Sequence, residues 1–228
     1  MPRRLDRIRG DVRDFPRYPI SEAAFYVRVP PRTLAAWTLG QDHWTRAGHH
    51  QIFKPLIEPA DSEHKLLSFY NLVEAHILRA TREHGIPLQN VRRALEYIRE
   101  TIPARHPLLV RTFEVSGKEL FIRHLGQTVN ATRHGQLAMR KILKQYLRRI
   151  ERDAKGLPLR IFPINSRRLV IDPRFSSGKP IVKDKGIVAS VLWGRSRTET
   201  IPEIASDYGM KPIEVQEAIE DYYWKVAA

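Results

Sequence analysis

Tyr18-Pro-Ile-Ser-Glu-Ala-Ala-Phe-Tyr-Val-Arg-Val-Pro-Pro-Arg-Thr-Leu-Ala-Ala-Trp37 reads as two short helices joined by a tight turn. Ser21 is a good N-cap for the first. The chain breaks near Arg28-Val29, and Pro31 suits the first turn of the second helix. Leu34 and Trp37, three residues apart, share the inner face of that helix. With Val29 and the small Ala24 they form the core that a close helix crossing needs. This is the pattern of a helix-turn-helix. Arg32, Thr33 and Ala36 then point outward, with Arg28 beside them in the turn, where a recognition helix meets the major groove. An ordinary helical hairpin without a DNA role is the plainer alternative.

Working outward, residues 40–60 mix Gly, aromatic and His residues and read as a wing beside the second helix. Arg46, His49, His50 and Lys54 are candidate phosphate contacts there. His43, His49 and His50 cluster, but no carboxylate or fourth His stands at a fixed ligand spacing, so no metal is expected. Residues 1–17 lack apolar periodicity. Arg3, Arg4, Arg7 and Arg9 make them either a minor-groove arm or a solvated tail.

Asp61-Ser62-Glu63 looks like the opening of a strongly apolar helix that Gly85 ends, and Pro87 starts the next, up to Pro103. Leu108–Val115 and Glu119–His124, around Ser116-Gly117-Lys118, predict a β-hairpin. Gln136–Asp153 predicts an amphipathic helix whose outer face carries Arg140, Lys141, Lys144, Arg148 and Arg152. That face could be solvated, could contact phosphate or could lie on a membrane surface. Lys155-Gly156-Leu157-Pro158 is a candidate linker. Short strands follow at Leu159–Pro163 and Leu169–Ile171, then a helix near Val188–Ser196. Thr200–Tyr223 is a second helix-turn-helix by pattern. The expected organisation is a basic arm at 1–17, a winged helix-turn-helix at 18–107, a hairpin and basic helix at 108–157 and a helix-turn-helix at 158–228. The fold class is mainly α.

The 228 residues contain no Cys, and 39 Lys and Arg against 25 Asp and Glu give a net charge of +14. The missing Cys excludes disulfide scaffolds, thiolate metal sites and a cysteine nucleophile, and suits a cytoplasmic location. No apolar run is long enough to span a bilayer. The charge favours a polyanionic partner such as double-stranded DNA. It divides as +4 over residues 1–60, +1 over 61–107, +8 over 108–160 and +1 over 161–228. The last 31 residues hold seven acids and two bases. Glu214, Glu217, Glu220 and Asp221 fall on Pro212–Lys225, the helix in the recognition position of the second helix-turn-helix, where phosphate would be repelled. A protein partner fits them better, although a plain solvated face fits as well. Residues 108–160 offer no acid pair suited to a metal, and no phosphate-cradling Gly loop occurs. No cofactor is expected, and a nucleic-acid enzyme is the weakest reading.

Tyr18–Thr38, with the wing and the helices over Leu66–Glu100, resembles the DNA-binding domain of MerR-type regulators. Ile171-Asp-Pro-Arg-Phe-Ser-Ser-Gly-Lys-Pro-Ile-Val182, Ile204-Ala-Ser-Asp-Tyr-Gly209 and Ala218-Ile-Glu-Asp-Tyr222 resemble a small helix-turn-helix family common in type II antitoxins. Together they look like VapB-like antitoxins. Asp184-Lys185-Gly186 stands where that family has Gly-Thr-Arg. The resemblance implies a homodimeric repressor that binds its own operator and neutralises a co-encoded PIN-type ribonuclease toxin. The alternative is a MerR-like transcriptional regulator that senses a small ligand and has no toxin.

Overall fold

Two consecutive prolines set the first helix pair. In the computed structural model, which describes residues 10–44, 50–129 and 133–223, α1 (Ile20–Val27) ends at Arg28 in the left-handed region, φ 59°. Pro30 caps α2 (Pro31–Leu39), and Pro31 fills its first turn, where a missing N–H costs nothing. Ala23, Ala24, Val29, Leu34 and Trp37 are buried between the helices, and the Val29 N–H closes the turn on the Ala24 carbonyl at 3.0 Å. The N-cap of α1 is Pro19, with no side-chain cap, rather than the expected Ser21. The wing is an antiparallel hairpin of β2 (Gln41–Trp44) and β3 (His50–Phe53), with Gln41 opposite Phe53.

The first core helix begins later than its sequence suggests. Asp61 and Leu66 exchange two backbone hydrogen bonds, at 3.0 and 2.9 Å, and the Asp61 carboxylate takes the His64 N–H. The capping residues Asp61 and Ser62 thus serve a turn, since Asp side chains hold turns as readily as helix starts. The chain then runs through β4 (Leu66–Leu67), which pairs with β1 (Tyr18–Pro19). Only at Phe69 does α3 (Phe69–Glu83) start, under a capping box of Ser68 and Asn71. After it, α4 (Leu88–Thr101) follows Pro87 as expected.

The predicted hairpin at 108–124 is helical instead. A π-turn at Phe113–Gly117 leads into α5 (Lys118–Val129). Phe113, Gly117, Phe121 and Leu125 are all buried at four-residue spacing, which places them on one helical stripe. A Cβ on Gly117 would lie 2.8 Å from the Ile102 side chain. Gly117 is therefore a close-packing residue rather than a turn residue. Next, α6 (Arg133–Leu147) is shorter than expected. The chain enters β5 (Ile150–Arg152) and returns as β6 (Pro158–Ile161). The proposed linker is the tip of this hairpin, where the Asp153 carboxylate accepts the N–H groups of Lys155 and Leu157, both at 2.9 Å.

One hydrophobic core runs from Tyr18 to Ile171 and takes in Phe113, Phe121, Leu143 and Tyr146. It does not break at the expected boundary after residue 107. A second, smaller core follows β7 (Leu169–Val170) and β8 (Ile181–Val182), which pair antiparallel. It is built by α7 (Ala189–Arg195), α8 (Ile201–Asp207) and α9 (Pro212–Tyr222). Nine α-helices and four two-stranded sheets make the described residues mainly helical. None of those helices is long and apolar enough to cross a membrane.

The loop between β7 and β8 meets the beginning of the helix-turn-helix. The Tyr18 hydroxyl donates to the Gly178 carbonyl at 3.1 Å, and Arg17 Nη1 to the Pro173 carbonyl at 2.8 Å. Gly178 has φ +71°, and a Cβ there would fall 2.0 Å from the Tyr18 oxygen. Gly178→Ala is expected to cost more than about 1 kcal/mol, seen as a lowered Tm, whereas Gly186→Ala, facing open space, costs only its backbone strain. Equal melting of the two variants would contradict this packing.

Candidate nucleic-acid interface

The outer face of α2 does not stand alone. Arg32, Thr33 and Ala36 form one wall of a groove of about 540 Å³. Thr81, Arg82, Gly85, Ile86 and Leu88, from the turn between α3 and α4, form the other, with Gln41 of the wing at one end. Arg32 and Arg82 are both exposed. Neither makes an ion pair or a side-chain hydrogen bond among the described residues. Two uncompensated guanidinium groups across an open groove give it a positive potential suited to a phosphate backbone. Sequence reasoning missed Arg82, because a basic residue in the last turn of a helix already has a sufficient reason in the helix dipole.

The wing is fixed from behind. Arg92 of α4 donates to the Lys54 carbonyl, and its guanidinium lies 5.5 Å from the Phe53 ring centre. Lys54 itself is exposed just past β3. Arg3, Arg4 and Arg46 lie outside the described residues, as do Arg7, Arg9 and His49.

Several residues expected at contact surfaces are internal. Arg28 is only 8% exposed, and its Nη2 donates to the Asp221 carbonyl at 2.5 Å. Burial lowers its pKa, with the Asp221 charge opposing. It is a structural tether and leaves the DNA-facing set. Arg152 is largely covered, bound to the carbonyls of Leu109 and Gly156 and to Glu114 at 2.7 Å. It cannot reach a phosphate. Arg140 is exposed but pairs with Glu119 of α5 through two nitrogens, at 2.6–3.1 Å. Lys141, Lys144 and Arg148 remain exposed.

The acidic face of α9 is also altered. Asp221 is 7% exposed, and its carboxylate accepts from Ser166 Oγ at 3.0 Å and from the N–H groups of Arg167 and Arg168 at 2.7 and 2.8 Å. It belongs to the interior and leaves the toxin-facing set. Arg168 binds Glu217 at 2.6 Å and Glu214 at 3.2 Å, and Arg167 binds Glu217 and Glu220, both at 3.2 Å. Glu199 and Asp207 share Arg195. The C-terminal acids are thus neutralised from within, and the repulsion of phosphate expected from their count is much reduced.

The interior holds two histidines with opposite environments. His76 is fully enclosed, with its Nε2 3.1 Å from the Tyr146 carbonyl. Burial pushes its pKa down to about 4. His106 lies 3.2 Å from Glu74 and 3.7 Å from Asp14. Burial lowers its pKa, but the Glu74 and Asp14 carboxylates outweigh that, and the net direction is upward. No group of three or more His, Asp or Glu among the described residues is placed to hold a metal ion.

In this geometry α1, the turn at Arg28–Val29 and α2 form a helix-turn-helix near the N-terminus. Residues 16–95 match a family model described as "Putative DNA-binding HTH domain". The chain is also 27% identical over 226 residues to "Putative antitoxin VapB45" of Mycobacterium tuberculosis, covering 91% of this chain and 94% of that protein. The chain is thus a distant homologue of that protein. The crystal structure of Rv2018 from Mycobacterium tuberculosis is similar at 25% identity and a TM-score of 0.67, covering 90% of this chain and 98% of that one.

The two histidines give a pH signature. An unfolded imidazole titrates near 6.5, and folded His76 near 4. Between those values the unfolded state binds the extra proton, so His76 makes stability fall as pH drops through that window. His106, raised in the fold, contributes stability that is present below about pH 6.5 and lost as pH rises through its folded pKa. Imidazole NMR titration is expected to show His76 neutral down to about pH 4 and His106 still protonated above about pH 6.5. The reverse order would overturn both assignments.

Proposed function

We propose that the chain is a DNA-binding antitoxin of a type II toxin–antitoxin module, holding its own operator as a homodimer and neutralising a co-encoded ribonuclease of the PIN type. The observation that carries the DNA-binding half is the groove between α2 and the α3–α4 turn, with Arg32 and Arg82, unpaired among the described residues, on its walls and Gln41 of the wing beside them. Arg32 and Thr33 at the start of α2 are the base-reading candidates. Lys54 and Arg82 are the backbone contacts that set the orientation. The match of residues 16–95 to a helix-turn-helix model supports this reading.

The antitoxin half rests on end-to-end similarity to a protein named as an antitoxin. In this reading the C-terminal helix-turn-helix takes the toxin. Glu214, Glu217 and Glu220 are engaged with Arg167 and Arg168, so a toxin would meet a paired, near-neutral face. Shape and apolar contact then matter more than net charge. Ile213 (55% exposed) and Tyr223 (54%) supply apolar surface there.

The test uses the full chain and the DNA upstream of its own coding sequence. Arg32→Ala is expected to weaken binding by about tenfold or more, the range for loss of one bidentate contact. Arg82→Ala is expected to weaken binding to all sequences alike. Unchanged affinity in both variants would rule out this groove as the interface. Co-expression with the product of the neighbouring reading frame is expected to yield a stable complex and to relieve ribonuclease toxicity.

A further inference from the structure

The outer stripe of α6 has no partner among the described residues. Lys141, Lys144 and Arg148 are spaced three and four residues apart and fall within about 60° on a helical wheel. Arg148 keeps that spacing because its N–H still bonds the Lys144 carbonyl at 3.1 Å. All three are exposed, and none has an ion pair or side-chain hydrogen bond among the described residues. The opposite face carries the buried Met139, Leu143 and Tyr146, so packing fixes which way the stripe points. Acids nearby are committed elsewhere. Glu119 holds Arg140, Glu151 holds Arg160, Glu114 holds Arg152, and Glu83 binds both Arg79 and the Tyr146 hydroxyl. Three neighbouring like charges without internal compensation repel one another, and an external polyanion relieves that repulsion.

The buried face of α6 is anchored beside the groove. The Tyr146 hydroxyl is bonded to Glu83, the residue after Arg82 of the groove wall. Arg79, whose guanidinium lies 5.8 Å from the Tyr146 ring centre, donates to the Val27 carbonyl at the end of α1. The C-terminal half of α6 is therefore bolted to the same end of α3 that faces the recognition helix. We propose that Lys141, Lys144 and Arg148 are a second DNA-backbone contact, continuing the footprint of the groove onto the flanking duplex. The inference rests on the reading of the groove as a DNA site and extends it.

The experiment measures binding of the full chain to a 40-base-pair duplex of random sequence by fluorescence anisotropy at several salt concentrations. The variant K141Q/K144Q/R148Q removes the stripe. K155Q/K179Q/K211Q removes the same charge from exposed positions elsewhere. The stripe variant is expected to bind roughly tenfold more weakly, and its plot of log affinity against log salt to be shallower by about 2 to 3, near 0.9 per lost phosphate contact. The control triple is expected to stay within about twofold of wild type, since net charge alone is a weaker, screened effect. Thermal melting of both variants close to wild type keeps the comparison at the level of binding. Equal weakening by the two triples would assign the effect to net charge and overturn the stripe. Loss with Arg32→Ala but none with the stripe variant would overturn the extension and leave the groove standing. A wild-type chain that binds no duplex would overturn both. A larger loss on single-stranded RNA than on duplex DNA would reassign the stripe to RNA and overturn the proposal.

Discussion

Asp221 joins the two halves of the molecule. Its carboxylate gathers three donors from residues 166–168, and its carbonyl takes the guanidinium of Arg28. The first set ties α9 to the segment leaving the large core, and the second ties it to the turn between α1 and α2. Asp221 and Arg28 are both buried and both carry charge, so removing either would strand a polar group away from water. Around this point Phe25 and Tyr222 meet edge to face at 5.1 Å. The turn of the first helix-turn-helix is thus held by the last helix of the second. A toxin seated on α9 would press on the same element that positions the candidate DNA reader.

Much of the fold was legible where local chemistry and tertiary demand agree. Pro31, Pro87, Pro202 and Pro212 each stand in or beside the first turn of a helix, because a residue with fixed φ and no N–H has few other comfortable positions. The misreadings share one cause. Residues with two uses read, in the sequence alone, as the more common one. Gly117 looked like a hairpin turn but is the small residue that lets α5 approach Ile102. Asp61 looked like a helix cap but holds a turn. Asp153 and Gly156 looked like a helix end and a linker but form a hairpin tip. For Gly117 the deciding partner, Ile102, is distant in sequence; for Asp61 and Asp153 the partners are the next few backbone N–H groups, and periodicity does not tell a side chain that caps a helix from one that closes a turn.

The site was legible in part for the same reason. Arg32, Thr33 and Ala36 follow from helix spacing alone, and they do share a face. Arg28 and Arg152 are indistinguishable from surface arginines in sequence, because a buried guanidinium is revealed only by the carbonyls around it. Charge counting met a similar limit. Seven acids in the last 31 residues suggested a negative surface, yet Arg167, Arg168 and Arg195 take up most of them. A sum over a segment cannot tell an exposed charge from half of an ion pair. The long basic helix divides the same way, with Arg140 and Arg152 paired internally and Lys141, Lys144 and Arg148 left outward.

Arg28 sits in the left-handed region at the end of α1, a place where Gly is otherwise favoured by about 1 kcal/mol. Two demands meet in that residue. Backbone comfort calls for Gly, and the bond to Asp221 calls for a long cationic side chain. A chain with Gly here would gain a more relaxed turn and lose the bond that links this turn to α9. Position 28 is therefore a point where the comfort of one turn and the connection between two parts of the molecule make opposite demands on a single side chain.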